Sequence, residues 1–237
     1  MITEELVKSY FKIHGTIKIN NDVVDVEGEV SSIMPMTELP FQFGKVTGEF
    51  ICPQNNLTSL KGSPCSVHNF YLSDNKLESL EGGPTEVNGF FCEDNRLSSL
   101  IGSPTKVTSD FNCSNNELAS LIGAPKTVGG NFVCFNCNLS SLIGAPEEVG
   151  GNFECTGNHD LTSFEGAPKI IEDGFYCDWT ENLPMLSLLK YKAICIFDNN
   201  DVNLILRKYA GKKPLRQSII QCQRELIDAG FEGNARL

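Results

Sequence analysis

One phrase recurs along this chain: Phe-x-Cys-x-x-Asn-x-Leu-x-Ser-Leu-x-Gly-x-Pro-x-x-Val. The phenylalanines that open the copies are separated by 20, 20, 21, 21, 21 and 22 residues. A fixed period of this length is typical of a solenoid, in which each repeat forms one coil stacked on the next. The opening residues are Phe50, Phe70, Phe90, Phe111, Phe132, Phe153 and Phe175.

Each repeat is too small to fold by itself. Its Phe and Cys stand two residues apart, so both side chains point to the same face of a short strand. The apolar side chains of one repeat contribute roughly 10 kcal/mol when buried. Ordering some twenty backbones costs about 1–2 kcal/mol each. Stable folding therefore requires that the repeats stack and cover one another.

The polar and small residues of the phrase predict turns. The recurring asparagine carries both donors and an acceptor, which suit backbone groups left unpaired at a turn. Gly-x-Pro predicts a tight bend, and its proline excludes a regular helix on the back of the coil. The asparagines are Asn55, Asn75, Asn95, Asn116 and Asn158, with Cys137 at this position in the fifth copy.

The repeat resembles the leucine-rich-repeat family. The second copy reads Val67-His-Asn-Phe70-Tyr-Leu72-Ser-Asp-Asn75-Lys-Leu77, which is L-x-x-L-x-L-x-x-N-x-L with Val and Phe at two leucine positions. Its short form is most similar to repeats of bacterial effectors and of tailed-phage proteins. The resemblance covers residues 46–182 and implies an α/β-type solenoid. It further implies a parallel β-sheet on the concave face and an irregular back face.

The two ends depart from the repeat, and we expect small helical caps there. Residues 1–45 predict a helix over residues 4–12, capped by Thr3 and with Leu6 on its apolar stripe, and then a degenerate capping coil. Residues 46–182 form the array of about seven coils. Residues 183–237 predict a helical cap or small domain, with one helix capped by Asp201 and another begun by Pro214.

Charge and cysteine usage narrow the function classes. The net charge is -11, but residues 183–237 carry nine Lys or Arg against five Asp or Glu, so the remainder carries -15. An acidic array disfavours nucleic acid and anionic membranes and favours a basic protein partner, although it is also compatible with a role in solubility alone. Six of the ten cysteines occupy the strand position two after Phe. Leu72 replaces the cysteine in the second copy. This indicates that the position takes a small buried hydrophobic side chain, which free cysteine is.

We find no pattern that predicts an enzyme. The chain has no phosphate-binding glycine loop, no metalloprotease helix motif and no nucleophile elbow. Cys134-Phe-Asn-Cys137 has no second Cys pair or nearby His pair to complete a zinc set. We therefore expect neither metal nor cofactor. The absence of a signal peptide or long apolar run favours the cytoplasm.

The non-core positions of the strands are the candidate site. The residue between Phe and Cys must point away from the core, and the residues just beyond Cys lie at the same surface. Aromatic side chains beside carboxylates at such positions are typical of a protein-binding surface, although β-propensity or cover by the C-terminal cap would also explain aromatics there. The predicted site residues are Ile51, Tyr71, Phe91, Asp94, Val133, Phe135, Glu154, Tyr176, Asp178 and Trp179.

Two functions remain open. The first is a non-enzymatic module that captures a protein on its acidic, aromatic concave face. The resemblance to phage repeats implies a phage-encoded protein, and a host protein such as a defence component is then a candidate partner to be inhibited in the host cytoplasm. The second is a structural or self-assembling protein that docks through its C-terminal helices. In either case we expect a monomer or a weak homo-oligomer.

Overall fold

The computed structural model describes all residues from 1 to 237 and shows a β-solenoid in which about nine coils run parallel. The strands are β1 (Phe11–Asn20), β2 (Val23–Ser32), β3 (Gln42–Val46), β4 (Phe50–Ile51), β5 (Ser66–Tyr71), β6 (Glu86–Phe91), β7 (Lys106–Val107), β8 (Phe111–Asn112), β9 (Thr127–Val128), β10 (Phe132–Val133), β11 (Glu148–Val149), β12 (Phe153–Glu154), β13 (Ile170–Ile171), β14 (Gly174–Asp178) and β15 (Ala193–Phe197). All belong to one sheet. The solenoid predicted from the repeat period is therefore confirmed.

Each coil contributes its Val and its Phe to the strands of the sheet. In β5 and β6 the two lie three residues apart within one strand, as Val67 and Phe70 do. From Val107 and Phe111 onward, the Val and the Phe of a coil lie four residues apart. The strand is then divided into two short strands. The change of period from 20 to 21 residues thus arises inside the sheet. Between strands, residues 52–169 form turns and extended segments without a helix.

The phenylalanines form one continuous stack through the core. Phe90, Phe111, Phe132, Phe153 and Phe175 are fully buried, and successive ring centroids lie 5.4 Å apart in stacked orientation. The in-register pairing of parallel strands places each ring directly over the previous one. The cysteines two residues later are buried beside them, as the sequence predicts: Cys52, Cys92, Cys113, Cys134, Cys155 and Cys177.

The predicted asparagines form a buried hydrogen-bond ladder. Asn95 Nδ2 donates to the carbonyl oxygens of Leu72 and Cys92, at 3.0 and 3.1 Å, and its Oδ1 accepts from the Leu77 amide at 2.9 Å. Each amide thus joins its own turn to the preceding coil. The same pattern holds at Asn75, Asn116 and Asn158.

The Gly-Gly pairs are required by close stacking of coils. A Cβ on Gly129 would lie inside van der Waals contact with the Thr108 carbonyl oxygen, and a Cβ on Gly150 would meet the carbonyl oxygen of Gly129 in the same way. Their amides donate to Val107 O and Val128 O at 2.9 and 2.8 Å. These glycines line a groove of about 480 Å³ beside the Val strands, and coil stacking accounts for them without a ligand.

The N-terminal region differs from the expectation. Helix α1 covers Glu4–Tyr10 with Thr3 as its N-cap, so residues 11 and 12 lie instead in β1, which pairs antiparallel with β2. The buried side chains here are Val7 and Phe11, whereas Leu6 is exposed. The sheet thus begins before residue 46, because the hairpin of β1 and β2 supplies the first surface on which coils stack.

The C-terminal region continues the sheet before turning helical. A 3₁₀ segment, Met185–Lys190, leads to β15, which pairs parallel with β14. Helices α2 (Asn200–Tyr209) and α3 (Leu215–Asp228) follow. The N-cap of α2 is Asn199, not the expected Asp201, because the Asn199 side chain accepts from the Val202 amide at 3.0 Å. Val202, Leu206, Cys222 and Leu226 join the same core as the coils.

Candidate functional site

Six predicted site residues lie side by side on the outer face of the sheet. The strand pairing carries one row across the molecule in register, from β4 to β14. All of its members are half-buried. We call this set the outer row: Ile51, Tyr71, Phe91, Asn112, Val133, Glu154 and Tyr176.

Tyr71 and Phe91 are neighbouring aromatic residues in the outer row. Their rings stack with centroids 4.7 Å apart and planes inclined by 6°. Phe91 also lies over Gly89, where the position of an added Cβ is 2.9 Å from the ring Cε2. The absence of a side chain at residue 89 therefore lets the phenyl ring settle on the sheet and hold a fixed orientation.

Carboxylates border this aromatic pair. Tyr71 Oη donates to Glu49 Oε1 at 3.4 Å, and Asn69 Nδ2 donates to the same oxygen at 3.2 Å. Burial, and next the charge of Glu49, raise the pKa of Tyr71 above its ordinary value. The phenol therefore stays a neutral donor at physiological pH. The aromatic pair is thus held on one side by an acidic hydrogen-bond network.

Glu93 belongs to the same surface, although it is not among the site residues predicted from the sequence. Its Oε1 accepts from Ser73 Oγ at 2.7 Å, while its Oε2 is buried without a hydrogen-bond donor. A buried carboxylate oxygen without a donor is costly, by about 1–3 kcal/mol. Its position directly after Cys92, on the outer side of the strand, is the signal that could have identified it.

Asp94 lies at the turn beyond the strand and is exposed, with a backbone φ of 56°. The equivalent residues of other coils share this left-handed conformation, with φ from 52° to 56° at Asp74, Asn115 and Asn136. Asn and Asp tolerate this region better than most residues. Backbone conformation alone therefore accounts for the recurrence of Asn and Asp here, and charge is an additional property of Asp74 and Asp94.

Phe135 is the most exposed aromatic side chain among the predicted site residues, at 41%. It follows Val133 by two residues, so both point outward from neighbouring positions. The ring lies against Gly157 of the next coil, where an added Cβ would be 3.0 Å from its Cε2. Phe135 and Val133 form a second apolar area on the outer face.

The three predicted residues at the C-terminal end are tied to the scaffold. Asp178 accepts a short hydrogen bond from the Gly157 amide. Trp179 Nε1 donates to Asn234 Oδ1 at 2.9 Å, and its ring meets Phe231 edge-on at 6.5 Å. Tyr176 folds over Gly174, as Phe91 does over Gly89. The final residues of the chain thus cover Trp179, so the alternative explanation, cover by the C-terminal region, applies to this aromatic residue.

A second polar ladder, missed in the sequence, flanks the outer row. The residue before each Phe also points outward, and Asp110, Asn131 and Asn152 occupy it in consecutive coils. Their Oδ1 atoms accept from the backbone amides of Asn131, Asn152 and Gly174 in the next coil, at 2.7, 2.8 and 3.0 Å. A side-chain acceptor recurring every 21 residues just before Phe was the available signal. These side chains bond neighbouring coils to each other. The outer row is therefore the surface whose residues differ from coil to coil.

Burial holds several core cysteines as neutral thiols, whereas the hydrogen bond with the Cys113 side chain lowers the pKa of Cys137. Burial raises the pKa of Cys52 to about 12 and raises the pKa of Cys92, Cys134 and Cys177 well above the usual range. Such thiols are neutral at physiological pH, and the thiolate is the reactive form. No group of three or more His, Cys, Asp or Glu side chains converges in a way that could hold a metal ion.

Comparisons with family models, with curated proteins and with solved structures found no match to this chain. Within the structure, none of the helices has the length and apolar character needed to cross a lipid bilayer. The residues of the outer face are therefore the basis for a functional proposal.

Proposed function

We propose that this chain is a leucine-rich-repeat type protein-binding module, without enzymatic activity, that captures a basic protein on the outer face of its sheet. The observation that carries the proposal is the stacked pair of Tyr71 and Phe91 with Glu49 and Glu93 beside it. The solenoid requires neither the aromatic rings nor the carboxylates at these outward positions. In this proposal the helices at the two ends act as caps of the array.

The chemistry of this surface suits Arg or Lys side chains. Aromatic rings attract cations over their faces, where the electrostatic potential is negative, and Tyr is enriched among residues that dominate binding energy. The Glu93 Oε2 atom would gain its missing donor from a partner cation after a change of side-chain rotamer. Phe135 adds an apolar contact further along the face. A few such anchors suffice for binding by a surface smaller than about 800 Å².

The biological setting in this proposal rests on the repeat style. Its similarity to repeats of tailed-phage proteins favours a phage-encoded protein that acts in the host cytoplasm. A host protein, such as a defence component that the chain inhibits, would then be the target. The net charge of -11 supports a partner of opposite sign.

The test is affinity purification with two matched triple variants. The first changes Tyr71, Phe91 and Phe135 to Ala on the outer face. The second changes Ile101, Ile122 and Ile143 to Ala, three exposed apolar residues on the back of the solenoid. We expect a partner retained by the unmodified chain to be lost from the first variant and kept by the second. Retention of every partner by the outer-face variant would refute the proposed surface.

A second candidate is a structural role in which the C-terminal helices dock on another subunit. The observation that favours it is the exposure of Leu204 on α2 and of Ile220 and Ile227 on α3, at 51%, 42% and 44%. Changing Leu204 and Ile227 to Ser should abolish such an assembly. Sedimentation of the purified variant against the unmodified chain distinguishes the two functions.

A further inference from the structure

The N-terminal edge of the sheet is formed by β1, and its geometry defines which backbone groups face outward. β1 and β2 are joined by Asn21 and Asp22, both in left-handed conformation with φ of 50° and 59°. A two-residue turn of this kind makes the flanking residues, Asn20 and Val23, a hydrogen-bonded pair. Because such pairs alternate, the even-numbered residues of β1 bond to β2 and the odd-numbered residues point their backbone groups away.

Four residues of β1 therefore present an open strand edge. The N–H and C=O groups of Ile13, Gly15, Ile17 and Ile19 face away from β2, and no other strand pairs with β1. The strand is ten residues long and contains neither a proline nor a shift of register. Gly15, at the centre of the strand, has a φ of 149°, and an unpaired edge of this length is a template for another strand.

The opposite end of the sheet is closed by contrast. β15 has five residues, and the Ile196 amide donates to Asn203 Oδ1 of α2 at 3.0 Å. Helix α2 packs on this strand and buries Val202 and Leu206 in the common core. The two ends of the solenoid thus differ, and only the β1 end offers a long unpaired strand.

The side chains of β1 are compatible with a protein neighbour. Ile13, Ile17 and Ile19 pack against the core but remain half-buried, since no coil lies beyond them. On the other face, Lys18 pairs with Glu27 at 2.5 Å and His14 lies 3.5 Å from Glu29. The lysine that would otherwise keep a strand away at the centre of this edge is therefore already matched by a carboxylate.

We propose that β1 is a self-association surface, on which β1 of a second copy of this chain adds antiparallel to form one sheet across a two-fold axis. In the register centred on Thr16, Ile13 lies opposite Ile19 of the second copy and Gly15 lies opposite Ile17. All four outward residues are then paired, in the self-complementary manner of a two-fold interface. The missing side chain at Gly15 leaves room for the Ile17 side chain that faces it.

The charges agree with this register. Lys12 lies opposite Asn20, His14 opposite Lys18, and Thr16 opposite itself, so no two lysines face each other across the two-fold axis. A ten-residue strand spans about 33 Å, which gives a smaller contact than a standard interface. The dimer is therefore of moderate affinity, with a dissociation constant on the order of 1–100 μM. This association uses neither the outer row nor the C-terminal helices.

The experiment measures molar mass against concentration by sedimentation equilibrium, from about 1 to 200 μM, for the full chain and three variants. Thr16→Lys places two lysines face to face at the two-fold axis without altering the backbone. Ile17→Pro removes an outward N–H, which an edge strand tolerates. Thr105→Lys is the matched control, because Thr105 is exposed and distant from β1. Thermal unfolding of each variant verifies that it is folded.

The proposal predicts a monomer–dimer equilibrium for the unmodified chain and for Thr105→Lys, with the dissociation constant raised at least about 10-fold in Thr16→Lys and Ile17→Pro. A chain that stays monomeric over the whole range would overturn it. So would a dimer that Thr16→Lys leaves intact, or one that is broken by Ser at Leu204 and Ile227. If Ile17→Pro fails to fold, Thr16→Lys alone decides the outcome.

Discussion

The thiol of Cys137 donates to the carbonyl oxygen of Cys113, 3.2 Å away, at the one position of the buried ladder where a cysteine replaces asparagine. Asn75, Asn95, Asn116 and Asn158 also accept a hydrogen bond from the leucine amide of the preceding coil, as Asn116 does from Leu97 at 2.9 Å. Cys137 has no amide oxygen with which to accept from the corresponding amide of Leu118. The ladder is therefore interrupted between the fifth coil and its predecessor.

Restoring the ladder should stabilise the protein. In Cys137→Asn we expect the new side chain to donate to Cys113 O and to accept from the Leu118 amide. The free energy of unfolding should rise by about 0.5–1.5 kcal/mol. Urea unfolding measures this as a higher midpoint at unchanged slope. A lower midpoint would show instead that the space around Cys137 has adapted to the smaller sulfur-containing side chain.

Removing a ladder amide from a complete coil should have the opposite effect. Asn95→Ala deletes the donors to Leu72 O and Cys92 O and the acceptor for the Leu77 amide. Leaving these buried backbone groups unpaired costs about 2–5 kcal/mol in unfolding free energy. Asn200→Ala, at the exposed start of α2, is the control and should change stability by less than about 0.5 kcal/mol. Equal effects of the two substitutions in urea unfolding would contradict the ladder's role.

Close stacking of coils makes a definite prediction for Gly129. A Cβ there would meet the Thr108 carbonyl oxygen, so Gly129→Ala requires the backbone of two coils to separate. We expect a loss of more than about 2 kcal/mol. Gly230 is the matched control, because its φ of 87° strains an alanine but no atom lies within 4 Å. Its substitution should cost about 1 kcal/mol. Thermal unfolding of both variants should therefore rank Gly129→Ala as the less stable.

The core thiols predict how stability changes at alkaline pH. Burial raises the pKa of Cys52 to about 12 and also raises that of Cys92 well above the usual range, so these thiols stay neutral in the folded state after they ionise in the unfolded chain. Their contribution is thus fully present below about pH 9 and is lost as pH rises above it. We expect the decline of unfolding free energy between pH 9 and about 10.5 to be shallower in Cys92→Ala than in the unmodified chain. Identical slopes would show that Cys92 does not take part in this linkage.

The single tryptophan reports on how the C-terminal end is held. Asn234 accepts from Trp179 Nε1 and donates to Thr180 O and Leu183 O at 2.8 and 3.0 Å. In Asn234→Ala these three bonds are lost, and we expect Trp179 to become more exposed, with a red-shifted fluorescence maximum. The exposed Asn182→Ala is the control and should leave the emission unchanged. If the emission of Asn234→Ala stayed at the original wavelength, packing on Phe231 alone would be sufficient to hold the ring.

The candidate site could be predicted only in part. The alternation of side chains along a strand correctly predicted that six of the selected residues lie side by side in the outer row, from Ile51 to Tyr176. It could not predict that Trp179 would bond to Asn234, which lies 55 residues further along the chain. Nor did it reveal that the turn at Asp94 has a left-handed backbone, or that Glu93 would retain an oxygen without a donor. These properties depend on neighbours that only folding brings together.

The ends of the array show the same division between local pattern and tertiary contact. Thr3 was recognised as a cap because its partner, the Leu6 amide, is three residues away. The strand role of Phe11–Asn20 was missed, since it depends on pairing with β2, and β15 was missed because its parallel partner β14 precedes a 3₁₀ segment.

The repeated phrase is enough to predict the coil: Phe and Cys point inward, Asn bonds the turn, and the period requires the coils to stack. This was readable because every repeat imposes the same local geometry on itself. Contacts formed only in the folded chain set where the stack begins and ends, which strand edge stays unpaired, and which outward side chains are bonded to the scaffold. Those outcomes depend on contacts between segments that share no repeat, and such contacts leave no periodic trace in the chain.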